Sequence, residues 1–344
     1  MYNFRNDYSS GAHPKILDAL RNTNAIRTPG YGCDNYCREA ADLIRSECLC
    51  QGADVHFFIG GTQVNKTAIN AFLRPYEAVI AASTAHICVH ETGAVEQDGH
   101  KIIYIETQDG KLRPDLINSV ISSHSSEHMV TPRLVYISNT TEVGTVYSAS
   151  ELKNISDICR KNGLLIYCDG ARLGSAMTIK DADTSLSTYA EYCDAFTIGG
   201  TKNGLLFGEA LVITNDSLKP YFRSCMKQQG AILAKGRLLG IQYKAVLENG
   251  LYFELSKHAN EMAELIRNCL ESANIPVLYD SPSNQIFPVI PDSWMPVLER
   301  SCTFEVQCKT DSDHTCIRFV TGWDTDINEV LGLNEILKEL SKDV

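Results

Sequence analysis

The sequence has no apolar run approaching the ~18 residues of a membrane-spanning helix; its longest, such as Leu164–Cys168, are strand-sized. Basic residues are in the minority, with 31 Lys and Arg against 42 Asp and Glu and a formal net charge of −11. Affinity for nucleic acid rests mainly on clustered Lys and Arg, so a phosphate-backbone binder is disfavoured. The first seven residues, Met1–Asp7, lack the apolar core of a secretory signal. Cysteine is plentiful at thirteen, but the number is odd. The closest spacings, Cys33/Cys37 and Cys48/Cys50, never form paired C-x-x-C knuckles, which argues against structural zinc. Reduced, mostly buried thiols in a cytoplasmic protein are expected. The G-x-G-x-x-G fingerprint of dinucleotide folds is also missing. What remains is an ordinary globular composition, 44% hydrophobic and 21% charged, long enough for roughly two domains.

Short β-rich runs alternate with helical stretches. Val55–Ile59 reads as a strand, followed by Gly60-Gly61-Thr62 and a helix over Gln63–Leu73 with Val64, Ala68, Ile69 and Phe72 on one face. Further strands are expected at Ala78–Ala82, Lys101–Ile105, Leu134–Ser138, Leu164–Cys168, Ala195–Ile198 and Leu211–Thr214. A helix over Glu151–Lys161 is closed by Asn162-Gly163. Strands separated by helices imply crossovers, hence an α/β fold with a mainly parallel seven-stranded sheet between helices. Beyond about residue 230 the pattern turns helical from Leu233 to Leu270, with a break at Asn249-Gly250. A compact α+β tail follows, with strands expected at Gln285–Val289, Phe304–Cys308 and Cys316–Val320. The expected division is 1–245 for a large domain, N-terminal segment included, and 246–344 for a smaller C-terminal domain.

Three constellations carry chemistry. Gly60-Gly61-Thr62 at a strand-to-helix turn offers backbone N–H groups and a hydroxyl, a cup suited to phosphate. Asp169-Gly170-Ala171-Arg172 follows an apolar strand directly, where parallel sheets place their ligands. Lys202 follows the next strand between glycines that let backbone approach a ligand. Phosphate cup, strand-end acid and strand-end lysine, in that order, meet the needs of pyridoxal 5′-phosphate. That cofactor takes a lysine Schiff base, an acid to hold its ring nitrogen protonated and an anion site. His86-x3-His90-Glu91 pairs two imidazoles one turn apart, but its order departs from H-E-x-x-H and no third ligand is near, so no metal site is expected.

On these motifs the chain resembles the threonine aldolase branch of the β-eliminating lyases, within the fold-type I pyridoxal phosphate enzymes. The likeness runs from Arg5–Asp7 to Arg318–Thr321. It implies a homo-oligomer with each active site at a dimer interface, an amino acid substrate, and retro-aldol cleavage of L-threonine or L-allo-threonine to glycine and an aldehyde. The alternative is β-elimination or another fold-type I amino acid reaction. Carried over by position, Lys202 resembles the Schiff-base lysine, Asp169 the ring-nitrogen partner, and Gly61, Thr62 and Thr201 the phosphate site. His86 matches the histidine that stacks on the ring, and His128 a second histidine near the substrate hydroxyl. Tyr31 matches an active-site tyrosine. Arg172 is implied to reach the cofactor or the substrate carboxylate, and Arg318 to bind that carboxylate. Asn6 stands where the family usually has a serine, and Gln229–Arg237 replaces a Gly-rich stretch; these departures leave substrate choice open.

Overall fold

Strands that are apolar along their whole length need cover on both faces, and helices supply it. The computed structural model describes residues 1–343. After a short strand β1 (Tyr2–Asn3), seven strands build the central sheet: β2 (Asp54–Phe58), β3 (Glu77–Ala82), β4 (Lys101–Ile105), β5 (Thr131–Ser138), β6 (Leu165–Asp169), β7 (Ala195–Gly199) and β8 (Glu209–Ile213). Their order is β2-β8-β7-β6-β5-β3-β4. Only β8 opposes the common direction, running antiparallel to β2 and to β7. Successive side chains go to opposite faces. Ile80, Val135, Ile137, Ile166 and Phe196 therefore join one core, and Val79, Leu134, Tyr136, Tyr167 and Leu211 the other.

Local signals set the crossovers. Helix Gly61–Phe72 returns from β2, and helix Ala149–Asn162 leads from β5 to β6. The second is opened by a capping box, in which the Ser148 hydroxyl accepts from Glu151 N–H and Ser148 N–H donates to the Glu151 carboxylate. Gly163 closes it in the left-handed region at φ 67°. Asn249 (φ 62°) and Gly250 (φ 73°) break the later helical region into Arg237–Leu247 and Leu251–Ser272.

The C-terminal sheet contains β9 (Gln285–Ile286), β10 (Val289–Pro291), β12 (Glu305–Lys309) and β13 (His314–Val320), with β13 pairing antiparallel to each of the others. A third core lies beneath it, built from Ile286, Ile317 and Phe319 together with Met262, Ile266 and Leu270 of helix Leu251–Ser272. That helix also gives Leu251 and Leu255 to the first core, so it ties the two sheets together. The first residues of the chain pack against this smaller unit. β1 pairs in parallel with β11 (Cys302–Thr303), and Phe4 is fully buried in the third core. A two-residue strand leaves no periodicity from which to read this.

Candidate active site

Loops after parallel strands gather at one edge of the sheet, the carboxyl edge where such folds bind ligands. β6 ends on Asp169, β7 leads to Lys202, β2 leads to Gly60-Gly61, and β3 leads to His86. Two glycines let the central loops touch: a Cβ on Gly170 would collide with the Thr197 carbonyl, and one on Gly199 with the Ala171 carbonyl. The Asp169-Gly170 and Gly199-Gly200 signals are thus steric requirements of the site.

Asp169 is buried and held by three neutral donors. Its Oδ2 accepts from Asn65 Nδ2 at 2.8 Å and from the Tyr136 hydroxyl at 2.6 Å, and its Oδ1 accepts from Ala171 N–H at 2.9 Å. Asn65 is itself fixed, because its Oδ1 accepts from the Tyr167 hydroxyl at 2.8 Å and its Nδ2 also donates to Glu91 Oε1 at 2.8 Å. The same Glu91 oxygen lies 2.8 Å from His86 Nδ1. His86 is therefore linked to Asp169 through two hydrogen-bonded residues. Burial works against a charged His86, but the Glu91 hydrogen bond and the charges of Glu142 and Asp169 outweigh it and hold its pKa above the ordinary value.

A second network faces Lys202. Asp7, Arg172, Lys202, Asn203 and Asn284 line one narrow cleft. Arg172 grips Asp7 with two hydrogen bonds, Nε to Oδ2 at 2.7 Å and Nη2 to Oδ1 at 3.0 Å, and Asn284 Nδ2 adds a third at 2.9 Å. Burial opposes the Asp7 charge, yet Arg172 and Lys202 keep its carboxyl below the usual range. Arg318 lies close enough to feel Arg172: burial first, then that like charge, lowers its pKa. It donates to Gln285 Oε1 at 3.3 Å and pairs with Glu305, while its buried Nε has no partner.

At the cup, helix Gly61–Phe72 starts with no side-chain cap, and a Cβ on Gly60 or Gly61 would meet open space. Thr62 is exposed; the half-buried Thr201 hydroxyl accepts from Gly208 N–H at 3.0 Å. Asn6, beside Asp7, spends its Oδ1 on Tyr8 N–H and the Ser9 hydroxyl. Two expected residues do not join the cleft within this chain. His128 is exposed in the turn before β5, at the amino end of that strand. Ser138, at the opposite end of β5, is the register partner of Asp169, and the strand's length of roughly 23 Å separates the two ends. Tyr31, with φ 61°, lies under Lys227, whose Nζ is 5.0 Å from the ring centroid, and its carbonyl accepts from Arg223.

A family model described as beta-eliminating lyase matches residues 3–291. This chain belongs to the beta-eliminating lyase family. Among this lyase's relatives, the low specificity L-threonine aldolase of Pseudomonas aeruginosa is 30% identical, covering 99% of this chain and 96% of that protein. That of a Pseudomonas species is 32% identical, over 94% and 93% respectively. The solved threonine aldolase of Leishmania major superposes with a TM-score of 0.98 at 45% identity, covering 99% of this chain and all (100%) of that one. An aspartate aminotransferase of Thermus thermophilus, at 14% identity and a TM-score of 0.73 over 96% and 89%, shares the fold-type I architecture alone.

The lyase's cleft suits pyridoxal 5′-phosphate on two structural grounds. A buried Asp169 carboxylate held only by neutral donors wants a cation, and a protonated ring nitrogen is one. An uncapped twelve-residue helix with space before it suits a phosphate. Motif reading missed the supporting groups Asn65, Asp7 and Asn284, and met Glu91 only in the metal motif it set aside. Tyr136 and Tyr167 carried a faint signal, since each stands two residues before a strand end and so shares its face.

Proposed function

We propose that this lyase cleaves L-threonine and L-allo-threonine to glycine and an aldehyde, as a cytoplasmic homo-oligomer. The observation that carries the reading is Lys202 and Asp169 at the ends of adjacent strands, with His86 tied to Asp169 through Glu91 and Asn65. Full-length likeness to proteins named threonine aldolase supports the substrate. Among the described residues no helix is long and apolar enough to cross a membrane. The half-exposed Tyr31, with Lys227 beside it, is assigned to the face that meets a second copy.

Lys202 would carry the cofactor, Gly61, Thr62 and Thr201 would hold its phosphate, and Asp169 would keep its ring nitrogen protonated. Bound there, pyridoxal 5′-phosphate supplies a sink for the electron pair released when Cα–Cβ breaks. Arg318, with Arg172 beside it, holds the substrate carboxylate and so sets which bond at Cα stands ready to break. His86 takes the β-hydroxyl proton as general base, a role worth roughly 10²–10⁴ in rate. Glu91 positions it and stabilises the imidazolium that results. Aldehyde release from both β-epimers of L-threonine tests the reading, with serine and β-substituted amino acids as controls. Glycine and aldehyde are expected; ammonia and a 2-oxo acid would establish β-elimination instead.

Two further outcomes follow from the network. Asp169→Asn keeps shape and a hydrogen bond but loses the charge that retains the ring proton. The cofactor is expected to bind more weakly while kcat falls by about two decades or more, on the scale of ~1.4 kcal/mol per tenfold. Near-normal kcat at saturating cofactor would reduce Asp169 to a structural cap. Glu91→Gln removes the hydrogen-bonded carboxylate that holds the His86 pKa up. A base works only when deprotonated, so the acid limb of the pH–kcat/KM profile is expected to move to lower pH. An unmoved limb would show that His86 is not the base.

A further inference from the structure

Glu209 opens β8 and is only 5% exposed, yet no step above uses it. Because β8 runs against its neighbours, its first residue lies at the edge where they end. The register sets Glu209 opposite Gly199 on β7 and opposite Phe58 on β2. Directly opposed residues share a face; on that face of β7, Ala195 is the register partner of Tyr167, so the face is the one carrying Tyr167 and Asp169. Gly199 leads in three residues to Lys202, and Phe58 leads in two to Gly60, the N-cap of the uncapped helix. A buried carboxyl is thereby set between the amine and the anion cup. A cofactor phosphate held in that cup, dianionic above about pH 6, would bring a second negative charge to this buried site, and two like charges there disfavour each other's ionisation.

We propose that Glu209 is a neutral carboxylic acid in the holoenzyme, so that cofactor binding takes up one proton from solvent onto its carboxylate. This rests on the pyridoxal phosphate reading of the cleft. The titratable groups facing Glu209 are Lys202 from its loop, Asp169 and Tyr167 from β6, Tyr243 from helix Arg237–Leu247 and Tyr252 from helix Leu251–Ser272. Lys202, the Thr201 hydroxyl and the Gly200 N–H favour the carboxylate form, and Asp169 opposes it. The two helix tyrosines donate their hydroxyls to the Ile198 and Gly199 carbonyls at 2.6 and 2.9 Å, so neither is committed to Glu209. Burial is the largest influence; against Lys202 it already lifts the carboxyl to about 8 before any phosphate arrives. The phosphate charge lifts it further, which opens a window above about pH 8 where binding and protonation are linked.

The test measures cofactor dissociation constants and proton uptake between about pH 7 and pH 10 for the wild type, Glu209→Gln and Glu209→Ala, with uptake counted calorimetrically in buffers of different ionisation enthalpy. Uptake makes affinity fall as pH rises. The wild-type constant is therefore expected to weaken by up to about tenfold per pH unit above pH 8 relative to either variant. Wild-type uptake near pH 9 should exceed theirs by close to one proton. Agreement between Gln and Ala separates the proton from packing. Parallel affinity profiles, or zero wild-type uptake at about pH 9, overturn the role of Glu209 while leaving the cofactor reading intact. A wild type that binds no pyridoxal phosphate overturns that reading and this inference with it.

Discussion

Lys202→Ala is expected to abolish turnover, with a loss of roughly 10⁴-fold or more, the scale on which removal of a covalent catalytic group is felt. The expectation is positional. Lys202 stands three residues beyond the end of β7, beside the strand that ends on Asp169, and its charge reaches Asp7 across the cleft. Other lysines are committed elsewhere: Lys66 donates to Gln97 at 3.0 Å, and Lys111 pairs with Glu151 at 2.9 Å. A readout independent of activity is available. Borohydride treatment of the wild type with bound cofactor should fix a pyridoxyl group on the Lys202 peptide. The variant should still bind cofactor through the helix cup and Asp169, but yield no reduced adduct. Label on Lys235, or on any other lysine, would sink the assignment.

The parts of the molecule that were legible in sequence share one physical property: a short-range pattern determines them. Each strand of the central sheet is an apolar run bounded by turn residues, and burial on both faces demands such runs. Asp169, Lys202 and the Gly60-Gly61 cup stand at the ends of those runs, so the polarity of a parallel sheet alone puts them on one edge. Polarity also explains the residue that did not follow. His128 lies at the start of β5, and a loop at the amino end of a parallel strand faces away from the site in its own chain.

Partnership was not legible in the same way. Nothing local says that Asp7 meets Arg172 across 165 positions, or that Asn65 bridges Glu91 and Asp169 across 26 and 104. The carry-over from the family offered Arg172 to a ligand. The structure shows its fork occupied by the Asp7 carboxylate, with both groups almost fully buried. A buried guanidinium without a partner is costly, so Asp7 is what allows Arg172 to sit beside the cleft at all. The N-terminal segment is then part of the site's construction. Phe4 anchors it in the third core, and Asp7 is delivered three residues later.

With Arg172 so engaged, Arg318 is the proposed anchor of the substrate carboxylate, and Arg318→Ala is expected to lower kcat/KM steeply. Alternation along β13 sends Ile317 and Phe319 into the third core, both fully buried, and Arg318 to the other side. There Glu305, its register partner on β12, takes one end of the guanidinium and Gln285 another, while the buried Nε stays unsatisfied. A donor left in that state is a standing cost that a carboxylate oxygen relieves. The neighbouring Arg172 charge, which helps depress the Arg318 pKa, gives a second reason for an anion to bind between them. Losing a desolvated, charge-assisted pair costs about 2–5 kcal/mol, or about 30- to several-thousand-fold in kcat/KM. Arg318→Lys should recover little, because an ammonium cannot reproduce a planar fork already shared between Glu305 and Gln285. Cofactor absorbance should be unchanged in both variants, since Arg318 is assigned to the substrate alone. A loss under about threefold for Arg318→Ala with L-threonine would show that the carboxylate is held elsewhere, with Arg172 and Asn6 the next candidates.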